Sequence, residues 1–402
     1  MKKIIACTSA LIFLASCGGT EVQTPEEALS QNQQKVISNY SDLVKATPEQ
    51  SNSQGSMNFD ISSKDGSFNG QAQYNFDSNN TTWETSGNMK ISVGAETQED
   101  IGLGFNKVAG NIDFDLVALK NKVFFKLNTL KVTEPENNPM FEMYISMVAP
   151  YLEKWYFLED TYSTMSESPL DMFKIQKDII TLLENNTLLN HVATNENADY
   201  YDYNVELNAE TVVTLMEKIQ EVTMVSTQDQ LTEEDFQTIR DDIAQLNQTV
   251  EMNIKISKDN LEHFIFTAKN EEVTLNYENS EKNISFNVAD NSGEFKIESN
   301  FEKQTKGLSG TVKAIERENE IFQADINLTT DLKNTEFSIS GSATDNNETI
   351  NYSFNLADKT EEKSIEIAEP TDARNFQEVI MEYVGAMMWG AQMQYDDSLF
   401  VE

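Results

Sequence analysis

The chain has 402 residues, and its 67 acidic against 29 basic side chains give it a formal net charge of −38 at pH 7. So acidic a surface repels phosphate groups and anionic head groups, which argues against binding to nucleic acid or electrostatic attachment to a membrane. The hydrophobic fraction of 39% suffices for a large core, so a folded protein is expected rather than a disordered one.

The chain begins with a predicted export signal. Lys2 and Lys3 precede an apolar run over residues 4–15. That run is shorter than the roughly 20 apolar residues that cross a bilayer, and it has the length of a signal-peptide core. It ends in Leu14-Ala15-Ser16-Cys17, which resembles the lipobox of bacterial lipoproteins, in which the cysteine thiol takes a diacylglyceryl group. The resemblance implies a signal peptide over residues 1–16.

Cys17 is therefore the predicted lipidation site, and residues 17–25 are the predicted tether. Several acyl chains, such as palmitate, are expected on this cysteine because one chain anchors a protein only marginally. The anchor would hold the protein in the cell envelope, at the periplasmic face of a membrane or at the cell surface. Cleavage would also remove Cys7, which leaves no cysteine pair for a disulfide, and would take the net charge from −38 to −40.

The first predicted folded element is an amphipathic helix that follows the tether. Thr24-Pro25-Glu26-Glu27 combines an N-cap threonine, a proline in the first turn and a carboxylate at the third helical position, which is a capping-box arrangement. Apolar residues then recur at helical spacing through Val44, which predicts a helix of about five turns.

Period-two alternation of apolar and polar residues next predicts a series of strands up to residue 127. Gly55, Lys64-Asp65-Gly66 and Ser78-Asn79-Asn80 are the predicted turns between them, and Lys120-Asn121 predicts a tight reversal. The short spacing between strands leaves no room for helical crossovers, so the strands are expected to be antiparallel.

Helices are predicted in the middle of the chain and at its end. The pattern is helical from Asn137 to about Leu189, interrupted by a strand at residues 154–158, and Asn208 and Thr232 are predicted N-caps of two more helices. Strands return from 250 to about 367, with turns such as Asp290-Asn291-Ser292-Gly293. Thr371 is the predicted cap of a closing helix, and residues 393–402 form an acidic tail.

This order of elements resembles the LolA/LppX-like superfamily of bacterial lipoproteins, of the LppX/LprG type. The resemblance covers most of residues 26–370 and implies an α+β fold, in which a large curved antiparallel β-sheet (a half-barrel) has helices packed on its concave face. In the family this face encloses an apolar cavity for a lipid or an acyl chain. The segments that carry the resemblance are Asp115–Leu127, Lys154–Phe157, Tyr200–Asn208, Val250–Asp259 and Ile365–Pro370.

No linker rich in proline, glycine or serine divides the chain. Residues 26–392 are therefore predicted to form a single LolA/LppX-like domain, with a sub-division near residue 250 as the alternative.

No motif nominates a catalytic centre. The two histidines, His191 and His263, stand at no metal-ligand spacing from another ligand. Phosphate loops, nucleophile elbows and Cys/His pairs are absent from the sequence. We therefore expect neither an enzyme nor a metal or other cofactor.

Soft apolar side chains mark the candidate ligand cavity. Met140, Met143 and Met147 share one helical face, and thioether side chains repack at little cost around a loosely shaped ligand. The alternative for each residue is ordinary packing of a helix against the sheet. The candidate cavity residues are Met140, Met143, Met147, Phe173, Ile180, Met216, Phe236 and Met387.

The sequence thus predicts a membrane-anchored envelope lipoprotein that binds a hydrophobic ligand, such as a lipid or an acyl chain, by burial in an apolar cavity. The alternative is a surface-exposed structural or protein-interaction lipoprotein with a filled core, whose partner in the envelope is unidentified.

Replacing Cys17 with serine should abolish lipidation, because the thiol is the atom that takes the lipid. Growth with labelled palmitate should mark the wild-type chain in the membrane fraction and leave the Cys17→Ser chain unlabelled. The Cys7→Ser chain is the matched control and should keep its label. Labelling of the Cys17→Ser chain would show that Cys17 is not the lipidation site.

Overall fold

Strands account for most of the structure, which is a computed structural model. It describes residues 24–25, 27–32, 34, 38, 50–79, 84–97, 107–119, 122–134, 138–159, 180–181, 189–196, 199–223, 231–261, 263–331, 333–345 and 348–381.

The elements follow one another with short connections. In chain order they are β1 (Gln50–Ser63), β2 (Gly66–Asn79), β3 (Glu84–Thr97), β4 (Val108–Leu119), β5 (Lys122–Glu134), α1 (Pro139–Val148), a 3-10 turn (Ala149–Tyr151), β6 (Trp155–Glu159), β7 (Leu189–Glu196), β8 (Tyr200–Leu207), α2 (Ala209–Thr223), α3 (Glu233–Thr249), β9 (Glu251–Ser257), β10 (Phe264–Lys269), β11 (Val273–Asn279), β12 (Asn283–Asp290), β13 (Phe295–Gln304), β14 (Gly307–Glu316), β15 (Asn319–Thr330), β16 (Asn334–Asp345), β17 (Glu348–Glu361) and β18 (Arg374–Asn375).

The chain divides into two compact units built from discontinuous segments. Unit 1 comprises residues 1–49, 80–83 and 170–351, and unit 2 comprises residues 50–79, 84–169 and 352–402. The position near residue 250 that the sequence suggested as a boundary lies inside unit 1.

The strands of unit 1 form a continuous antiparallel meander. Each of β7 to β15 pairs with the next strand along the chain, up to β16. In unit 2 the strands β1 to β6 pair in the same sequential, antiparallel way, and the short β18 adds to β6 in parallel. The predicted α+β fold with a large, open antiparallel sheet is confirmed.

Helices cover the sheet of unit 1 at β7 to β11. The N-terminal helical segment 27–32 and α3 contribute Leu29, Ile243 and Leu246 to a core that also holds Tyr203 and Ile254. The helical segment is also fixed by polar contacts, since Asn32 Nδ2 donates to the Leu261 carbonyl oxygen at 2.9 Å. Buried strand residues complete the core: Leu189, Tyr201, Val205, Leu207, Met252, Ile256, Phe264, Phe266, Ala268 and Leu275.

The helix caps predicted from the sequence are confirmed. Thr24 Oγ1 accepts from the backbone N–H of Glu27 at 3.3 Å, and the Glu27 carboxylate accepts from Thr24 N at 3.1 Å. Asn208 Oδ1 accepts from Thr211 N at 3.2 Å. Thr232 and Asp235 make the same reciprocal pair at the start of α3, and these hydrogen bonds lower the pKa of the Asp235 carboxyl.

The predicted turn at Gly293 is also confirmed. Leu119 pairs with Lys122 between β4 and β5, whereas Lys120 and Asn121, the predicted tight reversal, lie outside the described residues. Gly293 has a φ of +77° between β12 and β13, where its amide donates to the Asp290 carbonyl oxygen at 3.1 Å, and glycine adopts this left-handed conformation without steric cost.

The turn predicted at Gly55 is not found, because this residue lies inside β1. A side chain at this position would collide with the carbonyl oxygen of Ala357, and its Cβ would lie 2.6 Å from the hydroxyl of Tyr74. Glycine thus permits a close approach of two neighbours within the sheet. The prediction was wrong because both neighbours come from other parts of the chain.

Two predictions for the end of the chain are also wrong: the last strand and the cap of the closing helix lie elsewhere. β17 ends at Glu361, so residues 365–367 are not a strand. The closing helix begins at residue 376, and Asn375 Oδ1 caps it by accepting from Gln377 N at 2.9 Å. Thr371 lies in a turn before β18 instead of at the cap. No helix of the described part of the chain has the length and apolar character that crossing a membrane requires.

The core of unit 1 should be sensitive to cavity formation at β9. Ile254 is 1% exposed, so we expect Ile254→Ala to lower the free energy of unfolding by about 2–5 kcal/mol. Val192 on β7 is 69% exposed, and Val192→Ala is the matched control, with an expected change within about 0.5 kcal/mol. Urea unfolding of the two variants checks the difference. Equal losses in both would contradict the packing described here.

Candidate functional site

The predicted cavity residues fall into three groups. Met140, Met143 and Met147 lie on α1 in unit 2, whereas Ile180, Met216 and Phe236 lie in unit 1. Cys17, Phe173 and Met387 are outside the described residues.

In unit 1 the predicted residues are enclosed. Ile180 and Phe236 are each 6% exposed, and Met216 on α2 is half-buried. Phe236 projects from α3, the helix whose Ile243 and Leu246 belong to the core. This position is typical of ordinary packing of a helix against a sheet, which was the alternative for each of these residues.

In unit 2 the α1 methionines are open to solvent. Met143 and Met147 are 51% and 45% exposed, and Tyr144 between them is 53% exposed. Asn138 fixes the start of α1, since its Oδ1 accepts from Met140 N at 3.0 Å. The helix lies against β5.

The main apolar surface of unit 2 is one face of β1 to β6, which we call the apolar wall. Residues directly opposite each other in antiparallel strands share a face. Ile61 opposes Phe68, Val93 opposes Ile112 and Val123 opposes Leu158. The wall consists of Met57, Phe59, Ile61, Phe68, Met89, Ile91, Val93, Ile112, Phe114, Leu116, Val123, Phe125, Leu127, Leu130, Tyr156 and Leu158.

Much of the apolar wall is accessible. Ile61, Phe68 and Val123 are each 43% exposed, and Ile112 and Leu158 are each 39% exposed. Isolated exposed apolar residues are normal in proteins, but several on one sheet face make a candidate binding surface. Because these side chains protrude from paired strands, the sheet holds their spacing fixed.

An aromatic cluster closes one end of the wall. Phe125 on β5 stands 5.7 Å from Tyr156 on β6, and Phe376 meets Phe125 edge-to-face at 4.9 Å between ring centroids. Phe376 is the first residue of the closing helical segment 376–381, whose Met381 is 72% exposed. The segment therefore carries another exposed methionine, at a position the sequence prediction did not select.

The other end of the wall is held by a buried polar contact. Asp358 on β17 accepts a hydrogen bond from the Tyr74 hydroxyl at 2.7 Å and another from the hydroxyl of Ser53. Burial and the neighbouring Asp358 carboxylate together raise the pKa of Tyr74 well above its usual value. The tyrosine thus stays protonated and remains a hydrogen-bond donor at every physiological pH.

Unit 1 contains a groove of about 910 Å³ beside the C-terminal end of α3. Its lining includes the buried Leu246 and Leu275 and the charged side chains of Glu251, Lys269, Glu271 and Glu272. Helix C-termini carry partial negative charge. Because three carboxylates and the helix end face one ammonium group, the groove disfavours a fatty-acid carboxylate and is a poorer acyl-chain site than the wall.

The described residues hold no group of three or more histidine, cysteine, aspartate or glutamate side chains that could bind a metal ion.

Comparisons with known proteins leave the chain without a family. No family model matches it, and a search of curated proteins found no match. Among solved structures, the translocator domain of the autotransporter NalP from Neisseria meningitidis aligns with 85% of this chain and 99% of its own length, at 5% identity and a TM-score of 0.17. The toluene transporter TbuX from Ralstonia pickettii aligns with 80% of this chain and 91% of its own length, at 7% identity and a TM-score of 0.17.

A third similarity is to transferrin binding protein B from Haemophilus parasuis. It covers 78% of each chain, at 8% identity and a TM-score of 0.13. Scores this low carry no argument about the function of the present chain.

Removing the Tyr74 hydroxyl should weaken unit 2. The Tyr74→Phe substitution leaves Asp358 with one donor fewer in a partly buried position, so we expect a loss of about 1–3 kcal/mol in unfolding free energy. Chemical denaturation of the purified variant measures it. Tyr144→Phe removes a hydroxyl from a residue that is 53% exposed and should leave stability unchanged. A Tyr74→Phe variant as stable as wild type would contradict the proposed polar contact.

Proposed function

We propose that this chain is a membrane-anchored envelope lipoprotein that binds a hydrophobic ligand, such as a lipid or an acyl chain, on the apolar wall of unit 2. The observation that carries the proposal is the accessibility of five large apolar side chains on one sheet face, Ile61, Phe68, Ile112, Val123 and Leu158. Burial of such a surface is the general driving force for binding a hydrocarbon.

The chemistry of the wall suits a flexible hydrocarbon chain. Each methylene group that leaves water on binding contributes roughly 0.8 kcal/mol, and a paraffin chain requires no directional partner from the protein. Met143 and Met147 are exposed on α1, a helix that lies beside β5, which is one of the strands of the wall. Their flexible thioethers could follow the contour of chains of different shape.

The predicted lipid on Cys17 supports the same function, because a protein held at a membrane surface meets lipids as its nearest hydrophobic partners. We also propose that the chain is a member of the LolA/LppX-like superfamily. The order of its strands and helices and the five sequence segments that resemble this superfamily support the proposal. The proposed activity is binding alone, without catalysis or a cofactor.

The filled core of unit 1 favours a second candidate function. There the helices and strands bury Leu29, Tyr203 and Ile254 almost completely. A core that is filled by the protein's own side chains suits a structural or protein-interaction lipoprotein. In that case the apolar wall would be covered by a protein partner of the envelope.

A lipid-binding assay tests the proposal. The Cys17→Ser chain lacks the covalent lipid, so organic extraction followed by mass spectrometry should release only a non-covalently bound ligand. Titration with a fluorescent fatty acid should then give saturable binding. Replacing Ile112 and Val123 with threonine keeps branched side chains on the strands but makes the wall polar, and should weaken this binding by about tenfold.

The Val192→Thr chain is the matched control, because it makes the same type of change on an exposed strand residue of unit 1 and should bind as the parent chain does. An absence of extracted lipid, together with equal fatty-acid binding by the wall variant and its parent, would reject the ligand proposal in favour of the protein-interaction function.

A further inference from the structure

The solvent-facing side of α1 is unusually poor in charge for this chain. Met143, Tyr144 and Met147 are 51%, 53% and 45% exposed, and no residue of the helix is buried. Glu142 is the one charged residue of α1, although charged residues make up 24% of the chain. The three exposed side chains of Met143, Tyr144 and Met147 therefore form an apolar surface, which we call the methionine patch.

The exposed side of α3 provides a comparison within the same protein. Ser146 on α1 and Thr238 on α3 are both exposed, and each hydroxyl donates to a carbonyl oxygen of its own helix, at 2.7 Å and 2.9 Å. Residues three or four positions apart are neighbours on a helix surface. The neighbours of Thr238 are the exposed carboxylates Glu234, Asp235, Asp241 and Asp242. The neighbours of Ser146 are Glu142, Met143, Ala149 and Pro150. The two exposed helix sides thus differ in charge and not in backbone structure.

Several polar groups around the methionine patch have partners inside the protein. Asn138 Oδ1 accepts from Met140 N at 3.0 Å in the first turn. The Ser146 hydroxyl bonds to the helix backbone, and Lys154 Nζ donates to the Pro150 carbonyl oxygen at 2.5 Å beyond the last turn. A surface that enters lipid needs such internal partners, because hydrocarbon offers none.

These features favour a lipid surface over a protein partner as the occupant of the patch. Specific protein interfaces carry hydrogen-bonding groups around an apolar centre, whereas the Ser146 hydroxyl at the patch is bonded to its own helix. Thioether side chains adapt to a surface that has no fixed shape, and a tyrosine suits the boundary between hydrocarbon and water. The predicted lipid on Cys17 would also keep the protein at a membrane.

The patch needs that anchor in order to act. Interfacial helices that bind membranes by themselves are usually rich in lysine and arginine, and α1 contains neither. A lipid anchor raises the local concentration of the patch at the membrane, so that a weak contact becomes populated. Since the chain has a net charge of −38, anionic lipids repel it, and neutral zwitterionic head groups suit the contact best.

We propose that the methionine patch inserts into the head-group region of a neutral phospholipid membrane. The proposal rests on the proposed function, because the lipid on Cys17 supplies the anchor. It also deepens that function. Because α1 lies beside β5, a strand of the apolar wall, insertion would bring this strand close to the membrane from which a hydrocarbon ligand comes.

Spin labelling of the lipidated chain on phosphatidylcholine vesicles tests the proposal. Ser146→Cys introduces a thiol beside the patch and keeps its three apolar side chains, while the native Cys7 and Cys17 would be removed with the leader and lipidated, respectively. Oxygen concentrates in lipid and a nickel chelate stays in water. We expect the ratio of oxygen to nickel-chelate collisions at this label to be several-fold higher on vesicles than in the soluble chain that also carries Cys17→Ser.

Two further variants serve as controls. Thr238→Cys places the label among the carboxylates of α3, where it should stay accessible to the nickel chelate on the same vesicles. In the Ser146→Cys chain, Met143→Gln and Met147→Gln keep the side-chain length and a high helix propensity but make the patch polar. This change should return the collision ratio to its value in solution.

A label at residue 146 that stays in water on the vesicles would overturn the proposal, and so would an equal change at residues 146 and 238. A label that is shielded in native envelope fractions, but not on pure lipid, would overturn it in favour of a protein partner. Palmitate labelling and the fatty-acid titration measure the proposed function separately. Normal results in both, together with a water-exposed label at residue 146, would reject this proposal alone.

Discussion

An antiparallel sheet has two faces, and any apolar side chain on either face must be covered by protein, covered by a ligand or left in water. That constraint organises this protein. Period-two alternation directs apolar residues to one face of each strand, and the long meander accumulates them over many strands. The apolar face is buried by helices in unit 1 and is partly exposed in unit 2.

Unit 1 covers its face with its own helices over β7 to β11. The helical segment 27–32 reaches the strands through the buried Leu29 and through the hydrogen bond from Asn32 to the Leu261 carbonyl oxygen. Just before the segment, the Pro25 carbonyl oxygen accepts a hydrogen bond from the Tyr203 hydroxyl. These contacts join residues far apart in sequence, so the loop-closure entropy that they cost is large and must be offset by hydrophobic burial.

Local chemistry explains which features could be predicted from the sequence. The N-caps at Thr232 and Asn208 and the turn at Gly293 depend on residues within a few positions of each other, and all are found as predicted. The role of Gly55 depends on Tyr74 and Ala357, which only the folded sheet brings close. β7 begins where the predicted helical region ends, near Leu189, and its mostly polar residues and the exposed Val192 give little period-two signal.

The candidate site was predictable only in part. The methionines of α1 could be found by their helical spacing, and Met143 and Met147 are indeed accessible. Ile180 and Phe236 show the same kind of spacing but are buried in unit 1, since periodicity identifies an apolar face without showing what covers it. The exposure of Ile112 and Val123 depends on how the folded chain covers each strand, and sequence alternation alone does not contain that information.

The most direct test of the account is photocrosslinking with a fatty acid that carries a diazirine near its methyl end, followed by mapping of the modified peptides. The account predicts adducts concentrated on β2 to β5, at or beside Phe68, Ile112 and Val123, and competition by unlabelled fatty acid. Adducts confined to unit 1, or labelling that unlabelled fatty acid does not reduce, would contradict it.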